Sequence, residues 1–323
     1  MVKKIFYFIG LALLLACSKE EKINETKLTG LVFGTSYNII YLSNNNYQKS
    51  IDSLFYLVNK SLSTYMPTSD ISRINKGDST VVVDSLFIEV FQKSKRIYKE
   101  TKGYFDPTVC GLVNAWGFGY KKGKKDLDSL EVRNLMNYVG FDKVTLNTGK
   151  IQKNKQKLCL DFNSIAKGYG IDVIGRFLEA QNIKNYLIEI GGEIRVKGKS
   201  KKGKSWKVAI DDPNSDGTRS MSRFVELNNQ SMASSGNYRK FRIGKNGQKY
   251  VHTINPKTGF AIESNLLSAT VYGDFDCADV DAYATAFMAM GLEKTKSFLK
   301  EYPKIKVSLI YVDKSKKIKE FLN

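Results

Sequence analysis

Ile51, Leu54, Phe55, Val58 and Leu62 recur three and four residues apart, the period that lines up side chains on one helical face, so the spacing predicts an amphipathic helix over 47–63. The same period in Leu86, Val90, Ile97 and Tyr98 predicts a second helix, opened by Asp84 or Ser85 as N-cap and stopped at Gly103. Between them STYMPTSDISRIN (63–75) is rich in Pro and Ser and is expected to be a loop. Further helices are expected at 128–138, ending at Gly140; at 165–180, with Ile171, Ile174, Phe177 and Leu178 on one side; and at 278–290 and 292–301. Strand-like stretches are 29–42, broken at Gly34; 143–151 and 156–161, joined by a turn containing Asn154; YLIEI running into Gly191-Gly192; short strands up to Val271; and 307–312. Long helices thus alternate irregularly with antiparallel-looking strands. This predicts an α+β fold, with mixed and largely antiparallel sheets and packed helices, rather than a doubly wound parallel sheet.

The N-terminus reads differently. MVKK is a positive start, 5–15 is an apolar run too short for a permanent span, and Leu14-Leu15-Ala16-Cys17 resembles a bacterial lipobox. Residues 1–16 are therefore expected to be a lipoprotein signal peptide, with Cys17 carrying diacylglycerol and its freed amine an acyl chain such as palmitate. Polar residues 17–27 would form a tether, and the folded domain would run over 28–323. This implies export and anchoring to a bacterial membrane, facing the periplasm.

At 323 residues, 42% hydrophobic and 12% aromatic, the chain can bury a large core. No linker divides the mature part, although two interlocked lobes would fit its length. The formal charge of +19 comes mostly from lysines scattered in loops, a solvated surface that also suits anionic headgroups. An exported chain with no recognisable nucleic-acid module is not expected to bind nucleic acid. After Cys17 only Cys110, Cys159 and Cys277 remain, enough for at most one disulfide and lacking the spacing of a zinc site.

Candidate chemistry lies in five stretches that combine glycine, carboxylate and hydroxyl: 63–75, 103–119, 160–172, 188–198 with 234–241, and YVHTINPKTG followed by 279–286. In LDFNSIAKGYGID (160–172), Lys167 opens a helix beside Gly168 and Gly170; a phosphate cradle and a plain strand-to-helix turn fit equally well. In DVDAYATA (279–286), Asp281 and Thr285 are four apart on a helix and offer two hard oxygens to Mg²⁺, a pair that needs a third ligand from elsewhere. Gly191-Gly192 permits close approach of backbone to a ligand or forms a bulge, and Trp116 and Phe118 line either an aromatic pocket or core. His252, in YVHTINPKTG, is the single histidine.

The order and spacing of these stretches, from Phe33 to about Gly291, resemble the FAD:protein FMN transferases, flavin transferases once named as thiamine-biosynthesis lipoproteins. The resemblance implies binding of FAD, Mg²⁺-dependent cleavage of its pyrophosphate, transfer of FMN to a threonine hydroxyl of a target protein, and release of AMP. By matched position it implies flavin contacts from Phe33, Tyr65, Tyr104, Phe105, Asp106, Asp161, Lys167, His252 and Ile254. It implies Mg²⁺ held by the Ser164 carbonyl, Asp281 and Thr285, with Ala284 nearby, and catalytic roles for His252 and Asp281. An imidazole, with an unperturbed pKa of about 6.5, suits a general base near neutral pH; a structural histidine bonded to backbone is the alternative. The implied partner is an FMN-bearing subunit of a membrane redox complex. Phe33 stands where the family usually has Met, Ser164 where it has Gly or Ala, and Asn237 and Asn255 where Asp is frequent. An FAD pyrophosphatase giving FMN and AMP, and a non-catalytic flavin-binding lipoprotein, are the competing functions.

Overall fold

The computed structural model describes residues 24–121, 123, 126–213, 219–237, 241–244, 247–261 and 264–323. Residues 1–23, with the expected signal peptide and Cys17, lie outside the described residues. The first strand, β1 (Glu25–Val32), turns at Phe33-Gly34 into β2 (Thr35–Leu42). It thus begins inside the segment assigned to the tether, because Glu25, Thr26 and Lys27 pair with Leu42, Tyr41 and Ile40.

Helices α1 (Gln48–Leu62), α2 (Asp70–Lys76) and α3 (Ser85–Glu100) follow, then a 3₁₀ turn (Pro107–Val109), α4 (Cys110–Ala115), α5 (Ser129–Met136), and the hairpin β3 (Val144–Asn147) and β4 (Lys150–Lys153). Next come α6 (Ala166–Ala180), β5 (Tyr186–Ile190), β6 (Glu193–Lys197), β7 (Trp206–Pro213), β8 (Arg219–Leu227), β9 (Ser231–Gly236), β10 (Phe241–Ile243), β11 (Lys249–Val251) and β12 (Leu266–Gly273). The chain ends with α7 (Cys277–Met290), α8 (Leu292–Glu301), β13 (Lys306–Val312) and β14 (Ile318–Leu322). One sheet of eight strands, ordered β1-β2-β5-β6-β9-β12-β13-β14 and antiparallel at every pairing, backs the helices. This is the α+β arrangement the pattern predicts.

β5 shows why an antiparallel strand reads as a continuous apolar run. Tyr186, Ile188 and Ile190 join the main core with α6 and α7, while Leu187 joins a second cluster with Val208 and Ile210 of β7. Both faces are covered, so alternation is lost.

Three local expectations are corrected. The loop at 63–75 contains α2, capped by Ser69, whose hydroxyl accepts the Ser72 N–H at 3.2 Å, and ended by Gly77 with φ 93°. Only Ile71 and Ile74 mark its buried side, too short a pattern to stand out. The β3–β4 turn lies at Thr148-Gly149, not near Asn154. Residues 156–161 form no strand; the Asn75 side chain takes the place of a neighbouring strand, accepting from Leu160 N–H and donating to its carbonyl, both at 2.8 Å. β14 (IKEFL), mostly exposed at the sheet edge, is a short apolar-polar mixture that the pattern does not single out.

α7 is apolar on nearly every side and runs through the core. Its N-terminus is capped from α6: the fully buried Asp172 accepts the Cys277 and Ala278 N–H groups, both at 2.8 Å, and meets the Arg195 guanidinium. Burial pushes Asp172 up to about 6 against the pull of Arg195. Asp172→Ala is expected to cost about 3 kcal/mol, since it strips a helix end and unbalances a buried ion pair. Chemical denaturation would check this; a loss below about 1 kcal/mol would show that α7 is held otherwise.

Candidate active site

The N-terminal turn of α6 lies against α7. A Cβ on Gly168 would come within 2.4 Å of the Cys277 carbonyl oxygen, so only glycine permits the approach. Because the helices meet so closely, Gly168 N–H donates to Asp281 Oδ2 at 3.1 Å. The α6 ladder itself starts with Tyr169 N–H on the Ile165 carbonyl. The Ser164 carbonyl therefore lies just outside the ladder, on the turn leading to the end of α6 that Asp281 touches. One helical turn beyond Asp281, the Thr285 hydroxyl meets Ser235 of β9 at 3.3 Å. Ala284, fully buried, offers a ligand only its backbone.

Lys167, also in the first turn of α6, forms an ion pair with Glu193 of β6. Burial works against its charge, but Glu193 and Asp281 outweigh that and hold the ammonium above the usual lysine range. Burial raises both acids, Glu193 to about 7, with Lys167 pulling the other way. One ammonium thus faces two carboxylates that burial leaves short of positive charge, and among the described residues Glu193 Oε2 is buried without a hydrogen-bond partner. No group of three or more His, Cys, Asp or Glu side chains among the described residues is placed to hold a metal. A cation here would be held by one carboxylate, a hydroxyl and backbone carbonyls, a donor set suited to a hard divalent ion.

The predicted flavin contacts occupy several separate parts of the fold. Phe33, at the β1–β2 turn with φ 52°, packs on Phe55 and reaches Gly170 of α6, where a Cβ would lie 2.6 Å from its ring. Its side chain fills the space behind α6. Tyr65 is 61% exposed and meets Tyr120 at 6.1 Å, ring edge to face. Burial and then the Asp161 charge raise both tyrosine hydroxyls, which places the three groups together. The Phe105 side chain lies in the main core. Asp106, pushed up to about 6 by burial, caps the 3₁₀ turn by accepting Thr108 N–H and O–H at 2.8 and 2.6 Å. The Tyr104 ring lies beneath Lys257 and Lys294, the latter on α8.

The segments bearing Asp106 and Asp161 are tied twice, by Asp161 N–H on the Pro107 carbonyl at 2.8 Å and by a Cys110–Cys159 disulfide closing 49 residues. Cys277 is free and buried. A loop of this length suggests about 4 kcal/mol from the bridge in the chain-entropy view. Cys110→Ser, or added reductant, is expected to lower stability by about 2–4 kcal/mol. Melting with and without reductant checks this.

His252, half-buried, follows β11 and opens the HTINPKTG loop. Ile254 anchors that loop in a cluster with Leu112, Trp116 and Phe118, and Trp116 Nε1 donates to the Gly259 carbonyl at 2.8 Å. Trp116 and Phe118 therefore belong to core. Asn255 Nδ2 reaches the Ala289 carbonyl at 3.4 Å, tying the loop to the C-terminal turn of α7. Thus α7 carries Asp281 and Thr285, touches Lys167's helix at one end and the histidine loop at the other.

Residues 33–309 match the family model described as ApbE family. The chain belongs to that family. A protein of Haemophilus influenzae named FAD:protein FMN transferase is 36% identical over 312 residues, 91% of this chain and 89% of that protein. One of the same name from Vibrio cholerae is 35% identical over 298 residues, 89% and 88% of the two chains. The structure of flavin transferase ApbE from Vibrio cholerae matches with a TM-score of 0.83 at 32% identity, covering 93% of this chain and 97% of that one. The apo form of the flavinyl transferase ApbE from Pseudomonas stutzeri matches with a TM-score of 0.82 at 25% identity, covering 94% and 96%. The fold and the membership of an enzyme family agree with the sequence reading.

Sequence reasoning passed over Glu193, Tyr120 and Asp172. Glu193 had a signal, an acid directly after Gly191-Gly192 in an apolar strand; Tyr120 and Asp172 had none beyond their neighbours.

Proposed function

We propose that this protein transfers FMN from FAD to a threonine hydroxyl of a target protein, with Mg²⁺ as cofactor and AMP as leaving group. The observation that carries the reading is the contact of the Asp281 carboxylate with the N-terminus of α6, beside Lys167 and the Ser164 turn. The Ser164 carbonyl, Asp281 and Thr285 would hold the ion, with Ala284 adjoining. Bound there, Mg²⁺ supplies Lewis-acid stabilisation of charge on the pyrophosphate oxygens. Lys167 binds the same oxygens through its ammonium. Tyr65, Tyr120 and Asp161 form the wall at which the flavin is received, and His252 takes the proton of the attacking threonine hydroxyl.

The acceptor fits the family expectation of an FMN-bearing subunit of a membrane redox complex. Export as a lipoprotein anchored at Cys17 and facing the periplasm is part of the proposal. It is supported by the lipobox and by the Cys110–Cys159 bridge, which suits an oxidising compartment. Purified protein with FAD, Mg²⁺ and an acceptor carrying an Asp-Gly-x-Thr-type sequence is expected to give a covalently fluorescent acceptor; an unlabelled acceptor would count against the reading. Water in place of the threonine would give an FAD pyrophosphatase. The exposure of Tyr65 leaves this second reading open, and AMP release without acceptor measures it.

A further inference from the structure

Gly191 and Gly192, with φ of 62° and 102°, close a two-residue turn across which Ile190 faces Glu193. The turn delivers Glu193 as the first residue of β6, 3% exposed, beneath the N-terminal turn of α6. Oε1 accepts from Lys167 Nζ, and Oε2 is the unpartnered buried atom noted above. The pair is lopsided: the lysine side chain is 30% exposed and the glutamate 4%. A lysine in the first helical turn faces the positive end of the helix dipole, and its four-carbon stem is flexible. Without an anchor it would swing into solvent.

We infer that Glu193 is the positioning residue for Lys167, anchoring the ammonium from the core side so that its open side faces the place of the FAD pyrophosphate. An ammonium has three N–H donors. With one committed to Glu193, the others are left for phosphate oxygens. The inference rests on the pocket reading proposed above, but it concerns only how Lys167 is held.

The test compares the wild type with Lys167→Met, Glu193→Gln, Glu193→Asp and the double variant Lys167→Met/Glu193→Gln. Glu193→Gln is expected to lower kcat by about 10–100-fold, the usual cost of losing a group that orients a site residue, with a smaller change in KM for FAD. Glu193→Asp should recover part of the loss, and serves as the comparison if the glutamine variant folds poorly. Because Glu193 acts through Lys167, the double variant should be no slower than Lys167→Met alone. Melting gives an independent readout: Lys167→Met leaves a buried carboxylate unpaired and should lower Tm, and adding Glu193→Gln should restore part of it. Losses that multiply in the double variant, or a Glu193→Gln effect on Tm without one on kcat, would overturn the inference. Full transfer by Lys167→Met would instead sink the pocket reading itself, whereas an inactive Lys167→Met beside a fully active Glu193→Gln would sink only the positioning role.

Discussion

Asp281→Ala is expected to bring FMN transfer to background while flavin retention stays largely intact. The carboxylate is 4% exposed and, among the described residues, accepts from Gly168 N–H, so its burial is compensated mainly by the neighbouring ammonium. A buried acid of this kind is poorly explained as a fold-stabilising group, because removing it relieves a desolvation cost and Lys167 keeps Glu193. It is well explained as the charged ligand of a cation. Losing metal stabilisation of a phosphoryl transition state removes several kcal/mol, about 10³-fold in rate or more. Chelation of Mg²⁺ in the wild type should reproduce the effect. AMP release and acceptor fluorescence report the rate, and flavin fluorescence reports retention. An Asp281→Ala protein that labels acceptor at the wild-type rate would exclude the metal role.

The second large effect concerns the single histidine. His252→Ala is expected to lower kcat by about 10²–10⁴-fold, the range for a lost general base, with little change in FAD affinity. The loop just after it is anchored by Ile254 in the aromatic cluster and by Asn255 on α7, which fixes the backbone next to the imidazole. A loss appearing in KM instead of kcat would make His252 a phosphate contact rather than a base. Unchanged kinetics with a lowered Tm would assign it a structural role.

Much of the frame was legible because long helices advertise themselves. The α1 and α3 stripes and the Asp84 cap appear where the spacing and cap chemistry put them. What stayed hidden depends on contacts between distant parts. Asn75 replaces a strand partner for Leu160 across 85 residues, so an extended apolar segment that reads as a strand is none. In α2, Pro67 and serines masked a short helix whose buried side needs only Ile71 and Ile74. The same holds at the site. Asp281 and Thr285 could be paired from helical spacing alone, but their meeting with Gly168 and Ser235 required the fold. Glu193 was invisible as a partner of Lys167 because 26 residues and a strand turn separate them. Gly168 could be read only as permissive; the structure shows that α7 backbone occupies the space its side chain would need.

The most direct measurement is diffraction from crystals soaked with FAD and Mn²⁺ in place of Mg²⁺, since manganese gives an anomalous signal. The account predicts a cation about 2.1 Å from oxygens of Ser164, Asp281 and Thr285. It also predicts the FAD pyrophosphate between that cation and Lys167, with His252 on the side open to an acceptor. Flavin bound away from the α6–α7 contact, or a cation that ignores Asp281, would contradict it.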